Sequence, residues 1–104
     1  MSKPQEITAT IFDKKGKILA KAKNSYSKTH PFQAKMAQKV GKPEKVFLHA
    51  EIHAIIKALK TGKQPYKILV ERYHRDGTPA LAEPCEVCKM AIKEAGISKI
   101  EYTI

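Results

Sequence analysis

His49-Ala50-Glu51-Ile52-His53-Ala54-Ile55-Ile56-Lys57-Ala58-Leu59-Lys60 is completed by a second, shorter stretch, Pro84-Cys85-Glu86-Val87-Cys88. In the first, Ile52, Ile55, Ile56 and Leu59 follow the i, i+3, i+4, i+7 spacing of a helix with one buried stripe. The spacing predicts a helix from near His49 to about Lys60, with Gly62 as its stop. In the second, a proline suited to a first helical turn precedes a C-x-x-C that holds both cysteines of the chain. A helix beginning at or just after Pro84 puts Cys85 and Cys88 on the same side of one turn. His, Cys and Cys are ligand types that zinc prefers, at roughly 2.0 Å for nitrogen and 2.3 Å for sulfur. Three protein ligands leave a fourth position to water, as in catalytic rather than structural sites. Zinc then lowers that water's pKa toward neutrality.

Helix starts carry unsatisfied N–H groups and partial positive charge, which also favours the thiolate form of cysteine. If the two predicted helix tips face each other, His49, Cys85 and Cys88 converge on one ion, and Glu51 stands close enough to carry protons. Two residues apart in a regular helix, His49 and Glu51 point about 200° apart, so their convergence relies on the first turn, where both can reach a site in front of the helix. His53 makes an i, i+4 pair with His49. Zinc proteases with such a pair need Glu directly after the first His, and this chain has Ala50 there. His53 is therefore read as a helix residue without metal.

Outward from these motifs, residues 6–12 are rich in β-branched and aromatic types and read as a strand. Asp13-Lys14-Lys15-Gly16 reads as a turn in which Gly16 takes φ > 0. Residues 17–23 alternate, with Ile18, Ala20 and Ala22 on one face, giving a second strand paired antiparallel to the first. A polar loop, 24–28, leads to a helix capped by Thr29 or His30, with Pro31 in its first turn. Phe32, Met36 and Val40 lie on one face of that helix, and Gly41 and Pro43 end it. Residues 66–73 read as a third strand and 74–83 as a loop with turn signals at Asp76-Gly77 and Pro79. The third helix turns Val87, Met90, Ala91 and Ala95 inward and stops at Gly96, and 97–104 reads as a fourth strand. The order is β-β-α-α-β-α-β. Two strands joined through a helix lie parallel with a right-handed crossover, and the hairpin adds an antiparallel edge. The expected fold is α/β: a mixed four-stranded sheet with helices packed on it.

The chain has 104 residues, the length of a single domain, 1–104. No apolar run approaches the ~20 residues of a membrane span, and Met1 to Glu6 carry no apolar segment of the signal-peptide kind. No membrane partner is expected. Two close cysteines in a basic chain fit a reducing, cytoplasmic setting and a metal role rather than a disulfide. The formal charge is +10. Residues 14–45 hold ten lysines and a single acid, Glu44, while the rest is close to balanced. Such a half suits a polyanion, a nucleotide phosphate or nucleic acid, or else is a solvated surface that keeps the protein soluble.

H-x-E followed by P-C-x-x-C is the zinc deaminase signature, and at these residues the sequence resembles the zinc-dependent cytidine and deoxycytidylate deaminase superfamily. The element order fits over nearly the whole chain. The resemblance implies a three-layer cytidine deaminase-like sandwich. It implies that His49, Cys85 and Cys88 bind zinc, and that Glu51 takes a proton from water, protonates ring nitrogen N3 and helps ammonia leave. It implies that the Ala50 backbone N–H binds the pyrimidine carbonyl, and that Asn24 contacts the sugar, though an Asn in a polar loop is also an ordinary turn residue. His as first ligand resembles deoxycytidylate, tRNA-adenosine and polynucleotide deaminases more than free-cytidine enzymes. Glu83-Pro84-Cys85 departs from the Ser-Pro-Cys common in deoxycytidylate and polynucleotide cytosine deaminases and is closer to nucleobase and tRNA-adenosine deaminases.

Relatives usually add a fifth strand and a further helix after the fourth strand. An open strand edge there invites another subunit, so a homo-oligomer with shared pockets is expected. Among functions, deamination of a free cytosine nucleoside or nucleotide comes first. A phosphorylated substrate accounts for the lysines around Asn24 and the first helix. The alternative is deamination of cytosine or adenine in single-stranded nucleic acid or tRNA, for which Tyr26, Phe32, Tyr73 and His74 are the candidate stacking groups. A zinc-stabilised binding module without catalysis is the remaining class, and Glu51 argues against it, since a structural site has no use for that acid.

Overall fold

The computed structural model describes residues 6–25, 28–42 and 48–104. The sheet starts at a hairpin that the Asp13 carboxylate organises: its Oδ1 accepts the N–H groups of Lys15 and Lys17, each at 2.9 Å. Gly16 sits at φ +86°, the left-handed region open to glycine, and the chain reverses there. The reversal pairs β1 (Ile7–Phe12) antiparallel with β2 (Ile18–Lys23). α1 (Pro31–Lys39) and α2 (Ala50–Leu59) follow, then β3 (Lys67–Arg72), α3 (Glu86–Glu94) and β4 (Lys99–Tyr102). The sheet order is β2-β1-β3-β4. β3 runs antiparallel to β1 and parallel to β4, as the β-α-β connection requires.

The strands bury one face. Ala9 and Ile11 of β1, Ala20 and Ala22 of β2, and Ile68 and Val70 of β3 are buried in register. α2 packs on β1 and β2, α3 packs beside α2, and α1 lies against α3. The mixed sheet with three helices packed on it is the expected α/β arrangement. The opposite face holds Thr8, Thr10, Phe12 and Leu69 among long polar side chains, with the Lys67 ammonium 4.7 Å from the centre of the Phe12 ring.

Several expected boundaries and stripes shift for identifiable reasons. His49 and Cys85 are the N-caps of α2 and α3, so each helix begins one residue later. Leu59, expected in the buried stripe, is 48% exposed, and Ala54 and Ala58 are buried instead. That follows because α2 packs on both the sheet and α3, and small side chains let two neighbours approach. On α1 the buried positions are Gln33, Met36 and Ala37, with Phe32 and Val40 half-buried. On α3, Cys88 and Ile92 are buried with Val87 and Ala91, while Met90 and Ala95 are only partly covered. Ile18 is 57% exposed because the pairing shifts register between Ile11 and Phe12. β4 is shorter than expected: Thr103 turns its hydroxyl onto the Ala80 and Arg72 carbonyls. His30, not Thr29, caps α1, its Nδ1 accepting the Phe32 N–H at 3.1 Å. Pro43 lies outside the described residues.

This topology brings two helix starts to one end of the sheet. Ile7 pairs with Arg72 and Val70 with Tyr102, so the start of β1 and the ends of β3 and β4 share an edge. Ser25, just after β2, donates its N–H to the Leu48 carbonyl at 2.9 Å, directly before α2. Ala82 donates to the Thr103 carbonyl at 2.9 Å, shortly before α3. Carboxyl ends of parallel strands are the usual place for ligand sites in such sheets. Among the described residues no helix is long and apolar enough to cross a membrane.

The packing predicts a contrast. Ile68→Ala, at a fully buried position, should cost about 2–5 kcal/mol. Leu59→Ala, on the exposed side of α2, should change stability by roughly 0.5 kcal/mol or less. Urea unfolding of the two variants measures both, and equal losses would contradict this core.

Candidate metal centre

His49 and Cys85 occupy equivalent places. Each is the N-cap of its helix, with extended backbone (φ −76°, ψ 154° and φ −72°, ψ 173°), and neither makes a side-chain capping hydrogen bond. N-cap side chains ordinarily accept the first free N–H groups of their helix; here both point at each other. The His49 Nδ1 lies 3.2 Å from Cys88 Sγ and 3.5 Å from Cys85 Sγ. The three ligand atoms are all within 4.8 Å of one another. Tetrahedral zinc with the usual bond lengths separates a nitrogen and a sulfur ligand by about 3.6 Å, so these spacings accept the ion with small adjustments. Among the described residues this is the group of His, Cys, Asp and Glu side chains arranged to hold a metal.

The N-cap position of His49 also bears on the geometry of Glu51. Because His49 is outside the helix, the opposed directions of two helical residues do not apply. Glu51 lies in the first turn of α2, is 5% exposed, and is a hydrogen-bonding neighbour of Cys88. Burial pushes its carboxyl above the usual range, against the lowering effects of hydrogen bonds and His49. The two cysteines divide their protons unequally. The Cys88 thiol donates to Cys85 and, with His49, holds Cys85 down to about 3. That same hydrogen bond, together with burial, pushes Cys88 well above its ordinary value. Thiolate is the metal-binding form, so a divalent ion would displace the Cys88 proton.

The other expected residues occupy varied positions. Ala50 is fully buried as the first residue of α2, where helix geometry leaves N–H groups without intrahelical partners. Asn24 is half-buried at the end of β2, and its Oδ1 accepts the Ile7 N–H at 2.9 Å, which closes the edge of the sheet. His53 is turned to β2, with its Nδ1 3.3 Å from the Lys23 carbonyl, in keeping with its reading as a helix residue without metal. Of the candidate stacking groups, Phe32 is packed against the core. Tyr73 and His74 are exposed in the loop toward Cys85, and the Tyr73 hydroxyl donates to Glu71 at 2.6 Å. Tyr26 lies outside the described residues. The residue that sequence reading missed is Gln33. It is fully buried on α1, and its Oε1 accepts the His49 N–H at 3.3 Å. Its spacing to the Met36 and Val40 stripe was the available signal.

Removing one ligand should abolish tight metal binding. Cys88→Ser is expected to retain little zinc after dialysis, whereas wild type and His53→Ala hold close to one equivalent by atomic absorption. Full occupancy in Cys88→Ser would contradict this ligand set.

The sequence model of one protein family, described as the cytidine and deoxycytidylate deaminase zinc-binding region, matches residues 2–104. Among curated proteins none matches the chain. Because the family match takes in nearly the entire sequence, the chain belongs to the zinc-binding cytidine and deoxycytidylate deaminase family, whose metal the His49, Cys85 and Cys88 group is positioned to hold.

Proposed function

We propose that this member of the deaminase family is a hydrolase of a free cytosine nucleoside or nucleotide: cytidine, deoxycytidine or deoxycytidylate. One water is consumed, the exocyclic amine leaves as ammonia, and the product is the uracil compound. The observation that carries the reading is Glu51, a carboxylate 5% exposed beside a metal-ligand cluster. Burying a carboxyl is costly unless it is partnered, and a zinc site that only stabilises a fold has no need of one.

Zinc held by His49, Cys85 and Cys88 would supply the acidity that makes water a nucleophile near neutral pH. Glu51 accepts a proton from the attacking water, delivers it to ring nitrogen N3, and assists departure of ammonia. The raised affinity of its carboxyl for protons suits a group that must both take and give one. The Ala50 N–H, a first-turn donor of α2 with no partner inside its own helix, receives the pyrimidine carbonyl. Asn24 is the residue assigned to the sugar, and its place at the end of β2, one residue from the Ser25–Leu48 hydrogen bond, supports that assignment. Lys28 supports a phosphorylated substrate: its carbonyl accepts the Leu48 N–H at 2.8 Å, so the lysine stands next to the residue preceding His49.

Exposed Tyr73 and His74 on the loop toward Cys85 favour the second reading, deamination of cytosine or adenine in single-stranded nucleic acid or tRNA. Strong salt dependence of binding would mark it. A homo-oligomer is part of the same proposal, supported by exposed Ile100 and Tyr102 on the edge strand β4. Two free thiol ligands suit a reducing, cytoplasmic setting.

The test is ammonia release from cytosine, cytidine, deoxycytidine, deoxycytidylate, adenosine and a cytosine-containing oligonucleotide, by wild type and by Glu51→Ala. Turnover should be fastest with a cytosine nucleoside or nucleotide. Glu51→Ala should keep its zinc and fold while losing at least about 10²–10⁴-fold in rate. Unchanged turnover in that variant would remove the mechanism, and activity confined to the oligonucleotide would transfer the substrate to the second reading.

A further inference from the structure

The peptide group joining Leu48 to His49 is held at both ends. Its carbonyl oxygen accepts the Ser25 N–H at 2.9 Å, and its N–H donates to Gln33 Oε1 at 3.3 Å. Rotation of that peptide plane sets φ of His49, and with it the direction in which the imidazole leaves the backbone. An N-cap N–H is commonly satisfied from within its own helix, by a Glu or Gln three residues on. In α2 that position is Ile52, which has nothing to offer. The acceptor therefore comes from another helix.

That helix also packs on the element that bears the other two ligands. α1 packs on α3, with Met36 and Ala37 buried in the core. Lys39 Nζ lies 2.7 Å from Glu94, and Lys42 Nζ lies 3.9 Å from Glu86, so the α1 segment is tied to both ends of α3. α3 carries Cys88, and Cys85 is its cap. We infer that Gln33 is a positioning residue for the metal centre: through its side-chain carbonyl, α1 fixes the His49 backbone relative to the helix that bears the two cysteines. Gln33 touches neither the metal position nor substrate in this role; it acts through His49.

The inference rests on reading His49 as a metal ligand, and cobalt(II) as a probe separates the two. Cobalt in a mixed nitrogen and sulfur site gives visible absorption bands whose positions report ligand geometry. Gln33→Met keeps the length of the side chain and removes the acceptor, and Gln33→Glu keeps an acceptor oxygen. Gln33→Met should bind zinc about 10–100-fold more weakly, the usual cost of losing an outer partner of a metal ligand, and should shift the cobalt bands. Gln33→Glu should restore both toward wild type. Met36→Ala, which loosens the same helix without touching His49, should lower the melting temperature and leave the bands in place. Wild-type zinc affinity and bands in Gln33→Met would overturn the inference, as would failure of Gln33→Glu to restore them. Should Gln33→Met not fold, hydrogen exchange of wild type decides: a protected His49 amide supports the bond, and an amide exchanging at the open-chain rate overturns it. A wild-type chain that takes up neither zinc nor cobalt overturns the metal reading itself, and the inference with it.

Discussion

Two helices that meet start to start bring together ends of the same sign. Each carries roughly half a positive charge and several N–H groups without helical partners. In α2 and α3 the positions that would ordinarily quench this, the N-caps, are occupied by His49 and Cys85, and neither caps its own helix. The compensation comes from the site. Cys85 is held as a thiolate by the Cys88 thiol and His49, and the Glu51 carboxyl lies in the first turn of α2. The same fields that make the junction costly when bare make it receptive to thiolates, and through them to a cation. Much of the remaining architecture serves to hold these two tips together.

The sheet does so by topology. The hairpin places the end of β2 beside the start of β1, the parallel pair places the ends of β3 and β4 there too, Ser25 after β2 holds Leu48 just before α2, and the segment after β3 leads into α3. Packing finishes the arrangement: α2 is buried on two sides, by the sheet and by α3, with Ala50, Ala54 and Ala58 among its fully buried residues. α1 then joins the ligand-bearing elements from outside, through Gln33 to His49 and through the Lys39–Glu94 pair to α3. A chain of 104 residues has a modest core, and a bound ion adds stability by mass action because it binds the folded state.

Where local chemistry decides, the sequence was readable. Asp13 and Gly16 fix a turn by hydrogen bonding and φ, and the strands and helices follow from periodicity. The metal ligands were readable because their residue types are rare and their spacing is constrained. Where contacts between elements decide, it was not. The exposure of Leu59 depends on how α2 sits between two neighbours, and that of Ile18 on a register shift in the hairpin. The N-cap status of His49, which frees its side chain from the helical direction and lets Glu51 approach, is a boundary shifted by one residue. Gln33 is a polar residue inside an apolar stripe. Its partner is a backbone N–H sixteen residues away, which no spacing rule reveals.

The central claim is that one imidazole and two thiolates from two facing helix tips hold a single zinc ion with one position left to solvent. X-ray absorption at the zinc edge on the purified chain tests it most directly. A first shell of two sulfurs at about 2.3 Å and two lighter atoms at about 2.0 Å, at one zinc per chain, is the predicted result. A shell without sulfur, or one of four sulfurs shared between chains, would contradict it.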